Sequence, residues 1–137
     1  MGKVGFIGTG VMGNAMAGHL IDAGFELVVF NRTAEKTDNL VERGALCAAT
    51  PAEVAQQCDV VITMVGYPSD VEEVYFGQEG IIAHAPADAL LIDMTTSSPS
   101  LARRIFDEAQ AAGKHALDAP VSGGDVGAKN ATLTIMV

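Results

Sequence analysis

A short apolar run, Lys3 to Ile7, passes directly into Gly8-Thr9-Gly10-Val11-Met12-Gly13 and then into a stretch with helical spacing. Strand, glycines and helix in that order are what a dinucleotide-binding βαβ unit requires, and few other folds demand them together. The first glycine permits the tight turn out of the strand, the second lets backbone N–H groups approach a pyrophosphate, and the third lets helix and strand pack closely. The phosphates would rest on a helix N-terminus, where unpaired N–H groups and the helix dipole both favour negative charge. The flanks agree: Val11, Met12, Ala15, Met16, Leu20 and Ala23 recur at helical spacing, and Gly24 supplies a stop.

Strand and helix patterns alternate along the rest of the chain, with no low-complexity linker and no repeat of fixed period. That alternation predicts an α/β domain with a Rossmann-like, doubly wound parallel sheet in three layers. Strands are predicted at Glu26 to Phe30, Ala45 to Ala48, Asp59 to Val65, Ala89 to Met94 and Lys114 to Asp118. A helix is predicted over Thr33 to Arg43, and a short one after the capping box Thr50-Pro51-Ala52-Glu53. Another starts at a box formed by Ser69-Asp70-Val71-Glu72, and another runs from Ser98-Pro99 to near Gly113. Thr132 to Val137 reads as a last strand with an unprotected edge, reached through a glycine-rich loop.

The 137 residues suit a single domain over 1–137. Hydrophobic content of 49% with 5% aromatics and no Trp fits a sheet of Val, Ile and Leu under Ala-rich helices, and disorder does not fit it. A net charge of −9 without clustered Lys and Arg argues against nucleic acid as a partner. It does not argue against an anionic cofactor, since screening leaves local donors in control. The apolar runs are too short to span a bilayer, and Met1-Gly2-Lys3 leads straight into a strand without a leader, so a soluble cytoplasmic protein is expected. Cys47 and Cys58 form no C-x-x-C and read as small buried hydrophobes; His19, His84 and His115 have no ligand-spaced partners, so no metal is expected.

In folds of this type the residue at the end of the second strand selects the cofactor. An Asp or Glu there would bind a ribose 2′-OH, whereas Asn31-Arg32-Thr33 offers an amide, a guanidinium and a hydroxyl to a 2′-phosphate, which favours NADP(H). Asn31-Arg32-Thr33 and Asn130-Ala131-Thr132 also match the N-glycosylation pattern, which would need secretion. Val65-Gly66-Tyr67-Pro68 and Thr95-Thr96-Ser97-Ser98-Pro99 follow strand ends, where ligands of open α/β sheets bind, though ordinary loop and capping chemistry explains them equally well. In Asp118-Ala119-Pro120-Val121-Ser122-Gly123-Gly124, Ser122 and the glycine N–H groups could cradle a carboxylate. A nucleophilic serine is not expected, because Pro120 stands where the nucleophile elbow needs glycine. Asp70, Glu72 and Glu73 read as a solvated helix face.

GFIGTGVMG at 5–13, FNRT at 30–33, IDMTTSSP at 92–99 and DAPVSGGDVGAKNATLTIMV at 118–137 together resemble the N-terminal domain of the β-hydroxyacid dehydrogenase family, related to the 6-phosphogluconate dehydrogenases. The resemblance covers essentially the whole chain. It implies that Gly8, Thr9, Gly10, Val11, Met12 and Gly13 bind pyrophosphate, and that Asn31, Arg32 and Thr33 hold the 2′-phosphate. It further implies that Val65, Gly66 and Thr96 face the middle and nicotinamide end of NADP, and that Ser122, Gly123 and Gly124 bind a small carboxylate-bearing substrate. In such a family the parent is a homo-oligomer with a helical C-terminal domain and a catalytic lysine, both expected beyond Val137; Lys3, Lys36, Lys114 and Lys129 do not match the lysine motif. A departure is Ala131, where a glycine is usual. The resemblance leaves open a non-catalytic dinucleotide-binding module and the domain of an imine reductase.

Overall fold

The computed structural model describes residues 2–137; Met1, with which the expected leaderless N-terminus begins, lies outside them. Six strands form one parallel sheet in the order β3-β2-β1-β4-β5-β6. They are β1 (Val4–Ile7), β2 (Leu27–Phe30), β3 (Leu46–Cys47), β4 (Val60–Thr63), β5 (Leu90–Asp93) and β6 (His115–Asp118). The order reverses between β1 and β4, and the register places the end of β1, Ile7, opposite Phe30 on one side and Thr63 on the other. A crevice therefore opens at the carboxyl ends of these three strands.

Because side chains alternate across a pleated strand, the strands feed two separate cores. Val4, Phe6, Leu27 and Val29 pack with Ala17 of α1 (Val11–Asp22) and Leu40 of α2 (Asp38–Glu42). Ile7, Val28, Val61 and Leu91 turn to the other face. There they meet Val54 of α3 (Pro51–Gln56), Val71 and Tyr75 of α4 (Pro68–Phe76), Ile81 of α5 (Ile81–His84), and Leu101 and Ile105 of α6 (Pro99–Ala111). This is the predicted three-layer architecture. Each fully buried Val, Leu or Ile contributes about 1.5–3 kcal/mol, so the sheet is held from both faces.

The predicted helix starts at Thr50 and Ser98 are present. Thr50 Oγ1 accepts from the Glu53 N–H at 3.1 Å, and Glu53 Oε2 accepts from the Ala49 N–H at 2.8 Å, one residue further back than in the usual reciprocal box. Ser98 Oγ accepts from the Leu101 N–H at 3.2 Å. The predicted box at Ser69 is corrected: α4 begins at Pro68, whose ring presets the first helical φ, and Asp70 instead accepts the Tyr67 N–H at 3.0 Å. The single helix predicted over Thr33 to Arg43 is divided. The Thr37 hydroxyl donates to the Ala34 carbonyl at 2.7 Å across a 3₁₀ turn at Ala34–Thr37, and only then does α2 start.

The glycine-rich loop is also corrected. It contains α7 (Gly124–Asn130), entered through Gly123 at φ 132 and left through Ala131 at φ 56. The strand predicted over Thr132 to Val137 contracts to β8 (Thr134–Ile135), which pairs antiparallel with β7 (Val121–Ser122) in a separate two-stranded sheet. His19 Nε2 donates to the Ala128 carbonyl at 2.7 Å and so ties α7 to α1. Of the two cysteines expected to be buried, Cys58 is, with its thiol pushed up to about 11 chiefly by burial, whereas Cys47 is exposed on β3.

Candidate functional site

The crevice is a cleft of about 640 Å³, walled by the glycine loop, the end of β2 and the segment after β4. Each glycine of the loop has its own reason. Gly8 has φ 99, and a Cβ there would strike the Met64 carbonyl. A Cβ at Gly13 would strike the Gly8 carbonyl and lie 3.3 Å from the Phe6 ring, so this residue lets α1 sit against β1. A Cβ at Gly10 would meet nothing within 4 Å, so the space in front of it is free for a ligand to approach the backbone. Helix α1 starts there with no side-chain cap and no acidic residue in its first turn. Val11, Met12 and Gly13 line the cleft, so the first-turn N–H groups, which helix geometry leaves without partners, face a site suited to an anion.

Asn31 locks this arrangement together. Its Oδ1 accepts the Thr9 N–H at 2.9 Å and its Nδ2 donates to the Thr33 carbonyl at 3.0 Å, so the side chain is occupied by the protein itself. Thr9 is buried beneath the loop, and its hydroxyl donates to the Lys36 carbonyl at 2.9 Å. Arg32, Thr33 and Lys36 remain on the cleft wall. The Arg32 side chain is 74% exposed, yet its Nη2 lies 2.9 Å from Asp70 Oδ1 and 3.6 Å from Glu73 Oε2. The hydrogen bond and charge of Asp70, and then the charge of Glu73, hold the guanidinium above its ordinary pKa. The acidic face of α4, read from sequence as merely solvated, is thus paired: Glu72 meets Arg104 Nη1 at 2.9 Å.

Behind the cleft, at the ends of β4 and β5, lies a buried polar network that sequence reasoning missed. Asp93 Oδ1 accepts from the Thr63 hydroxyl at 2.9 Å and from the Thr95 N–H at 3.0 Å. Since Thr63 spends its one proton on Asp93, the Tyr75 hydroxyl donates to Thr63 Oγ1 at 3.2 Å. Thr95 Oγ1 in turn accepts the Val65 N–H at 3.0 Å, which joins the two loops. Burial pushes the Asp93 carboxyl above the usual carboxylate range, against the bonds from Thr95, Thr63 and Ser97 that favour its charge. Burial, reinforced by Asp93, also raises the Tyr75 phenol, which stays protonated. A single acid and a hydroxyl closing otherwise apolar strands, LLID and VVIT, were the available signal.

The structure brings Gly8, Gly10, Val11, Met12, Gly13, Asn31, Arg32, Thr33, Val65 and Gly66 to one cleft, with Thr9 directly under it. Thr96 is exposed and lies outside the cleft wall, as do Ser122, Gly123 and Gly124; from that last region only Asp125 reaches the wall. No helix among the described residues is long and apolar enough to cross a membrane.

Comparison with known proteins agrees with this geometry. Residues 3–137 match the family described as the NAD binding domain of 6-phosphogluconate dehydrogenase. The uncharacterized oxidoreductase YkwC of Bacillus subtilis is 55% identical over 134 residues, 98% of this chain and 46% of the relative. A 3-hydroxyisobutyrate dehydrogenase of Mycobacterium tuberculosis, solved with L-serine, is 34% identical and superposes with a TM-score of 0.92 over 99% of this chain and 46% of its own. Psf3, solved with NADP+ and 2-OPP, is 28% identical with a TM-score of 0.91 over 96% of this chain and 47% of its own. The chain spans about half the length of the relatives it matches. It belongs to the family of NAD binding domains of 6-phosphogluconate dehydrogenase, which its residues 3–137 match.

Proposed function

We propose that residues 1–137 form one NADP(H)-binding domain of an oxidoreductase that moves a hydride between nicotinamide and a small hydroxy acid or its semialdehyde. The observation that carries this reading is the open N-terminus of α1 at the turn of the sheet order, with the Arg32 guanidinium exposed at the end of β2. The dinucleotide supplies the redox chemistry when bound. The chain's share is to bind and orient it. The first-turn amides of α1 take the pyrophosphate, Gly10 lets it approach, and Asn31 holds the loop in shape. Arg32 and Thr33 take the 2′-phosphate, while Val65 and Gly66 on the cleft wall border the inner part of the cofactor, with Thr96 left outside that wall to meet the nicotinamide end only where it projects beyond the cleft. Ser122, Gly123 and Gly124 take the carboxylate of a small substrate; the solved relative was studied with L-serine, which carries both a carboxylate and a hydroxyl. Proton transfer falls to a lysine outside these residues, in a homo-oligomeric parent.

Fluorescence titration of NADPH and NADH into the chain, with and without Arg32→Ala, tests this. Losing the guanidinium should weaken NADPH about tenfold and leave NADH nearly unchanged. Equal affinity for both cofactors in wild type and variant would overturn the NADP assignment, and failure of the folded chain to bind either would overturn the binding site.

A further inference from the structure

Arg32, the residue on which a 2′-phosphate would depend, already has two partners. Both come from one face of α4, Asp70 at 2.9 Å and Glu73 at 3.6 Å. Asp70 is not free to swing away. Its Oδ2 accepts the Tyr67 N–H at 3.0 Å while Oδ1 takes Arg32, so the start of α4 fixes the carboxylate, which is only 21% exposed, against the cleft. Glu73 lies nearly one turn further on, with a 74% exposed side chain.

We propose that Asp70 and Glu73 set the cofactor selectivity of the cleft by competing with a 2′-phosphate for Arg32. The chain then separates NADPH from NADH less sharply than Asn31-Arg32-Thr33 alone would. This rests on the binding site described above. The Arg32 guanidinium faces two carboxylates, and the other charged side chains on the wall, Lys36 and Asp125, are one of each sign. A 2′-phosphate brings up to about two further negative charges, so it must share or break the Arg32 pairs and meets like charge on the same side. A ribose 2′-hydroxyl is neutral and meets neither cost. The pairs are solvent-exposed and weak singly, so a phosphate can still win the guanidinium, but at reduced advantage.

The test is titration of NADPH and NADH into the wild-type chain and into Glu73→Gln, Asp70→Asn and Arg32→Ala, at low and at physiological salt. Glu73→Gln should tighten NADPH by about three- to fivefold and leave NADH within about twofold, the gain shrinking as salt rises. Asp70→Asn should act in the same direction, its amide oxygen still available to the Tyr67 N–H. An NADPH-to-NADH preference that stays level or falls in Glu73→Gln and Asp70→Asn, while Arg32→Ala still weakens NADPH, overturns this inference alone. Failure of the folded wild-type chain to bind either cofactor overturns it together with the binding site.

Discussion

The Thr9 backbone N–H and the Asn31 side-chain Oδ1, twenty-two residues apart in sequence, form a 2.9 Å hydrogen bond that fastens the glycine loop to the end of β2. Asn31→Ala removes it from a residue only 2% exposed and leaves a buried N–H without its partner. The expected cost is about 1–3 kcal/mol, read as a lower urea midpoint. NADPH and NADH should weaken together, because the loop that serves both loses its shape. Selective loss of NADPH would mean instead that Asn31 contacts the 2′-phosphate directly.

Alanine at Gly10 and at Gly13 should have opposite consequences. Gly10→Ala adds a methyl to open space, so the chain should fold with near wild-type stability while dinucleotide binding drops at least tenfold. Gly13→Ala drives the methyl into the Gly8 carbonyl, so thermal unfolding should occur well below the wild-type temperature. Paired melting curves and titrations separate the two.

Ala131 is held in the left-handed region at φ 56, where a Cβ costs about 1–2 kcal/mol. Ala131→Gly relieves that strain but gains unfolded-state entropy, so a net stabilisation of about 0.5–1 kcal/mol is expected in denaturant unfolding. The same position is where the family resemblance places a glycine.

Asp93 gives a pH signature. Burial raises its carboxyl in the folded chain, so the folded state favours the protonated form more than the unfolded state does. Its contribution is fully present below the unfolded carboxylate range and is lost as pH rises through the raised folded value. Asp93→Asn keeps an acceptor for Thr63 and Thr95 and removes the titration. Its stability relative to wild type should therefore rise across the same interval, measured as urea midpoints at a series of pH values. A constant difference between the two proteins from acid to neutral pH would refute this.

Much of the fold was legible because it is local. Alternating apolar runs located β1, β2, β4, β5 and β6 within a few residues, and hydroxyl caps located the starts of α3 and α6. Local signals failed where short side-chain bonds or small residues decided. The Thr37 hydroxyl converted the first turn of a predicted helix to 3₁₀, and α5 is too short to show a period. In α7, Gly124, Gly127 and Ala128 look like a loop until the helix docks on α1 and buries Gly127 and Ala128.

The sequence by itself determined the βαβ unit, the alternation that makes the sheet parallel, and the residue types gathered at the end of β2. These depend on periodicity and on the backbone freedom of single residues, which neighbours in sequence express. Only the tertiary structure decided that Asn31 is a brace, that Arg32 is shared with Asp70 from 38 residues away, and that Asp93 is buried against Thr63 from 30 residues away. Those contacts depend on which strand lies beside which. The sheet order places β4 next to β1 although β2 and β3 intervene in the chain, and no local pattern carries that adjacency.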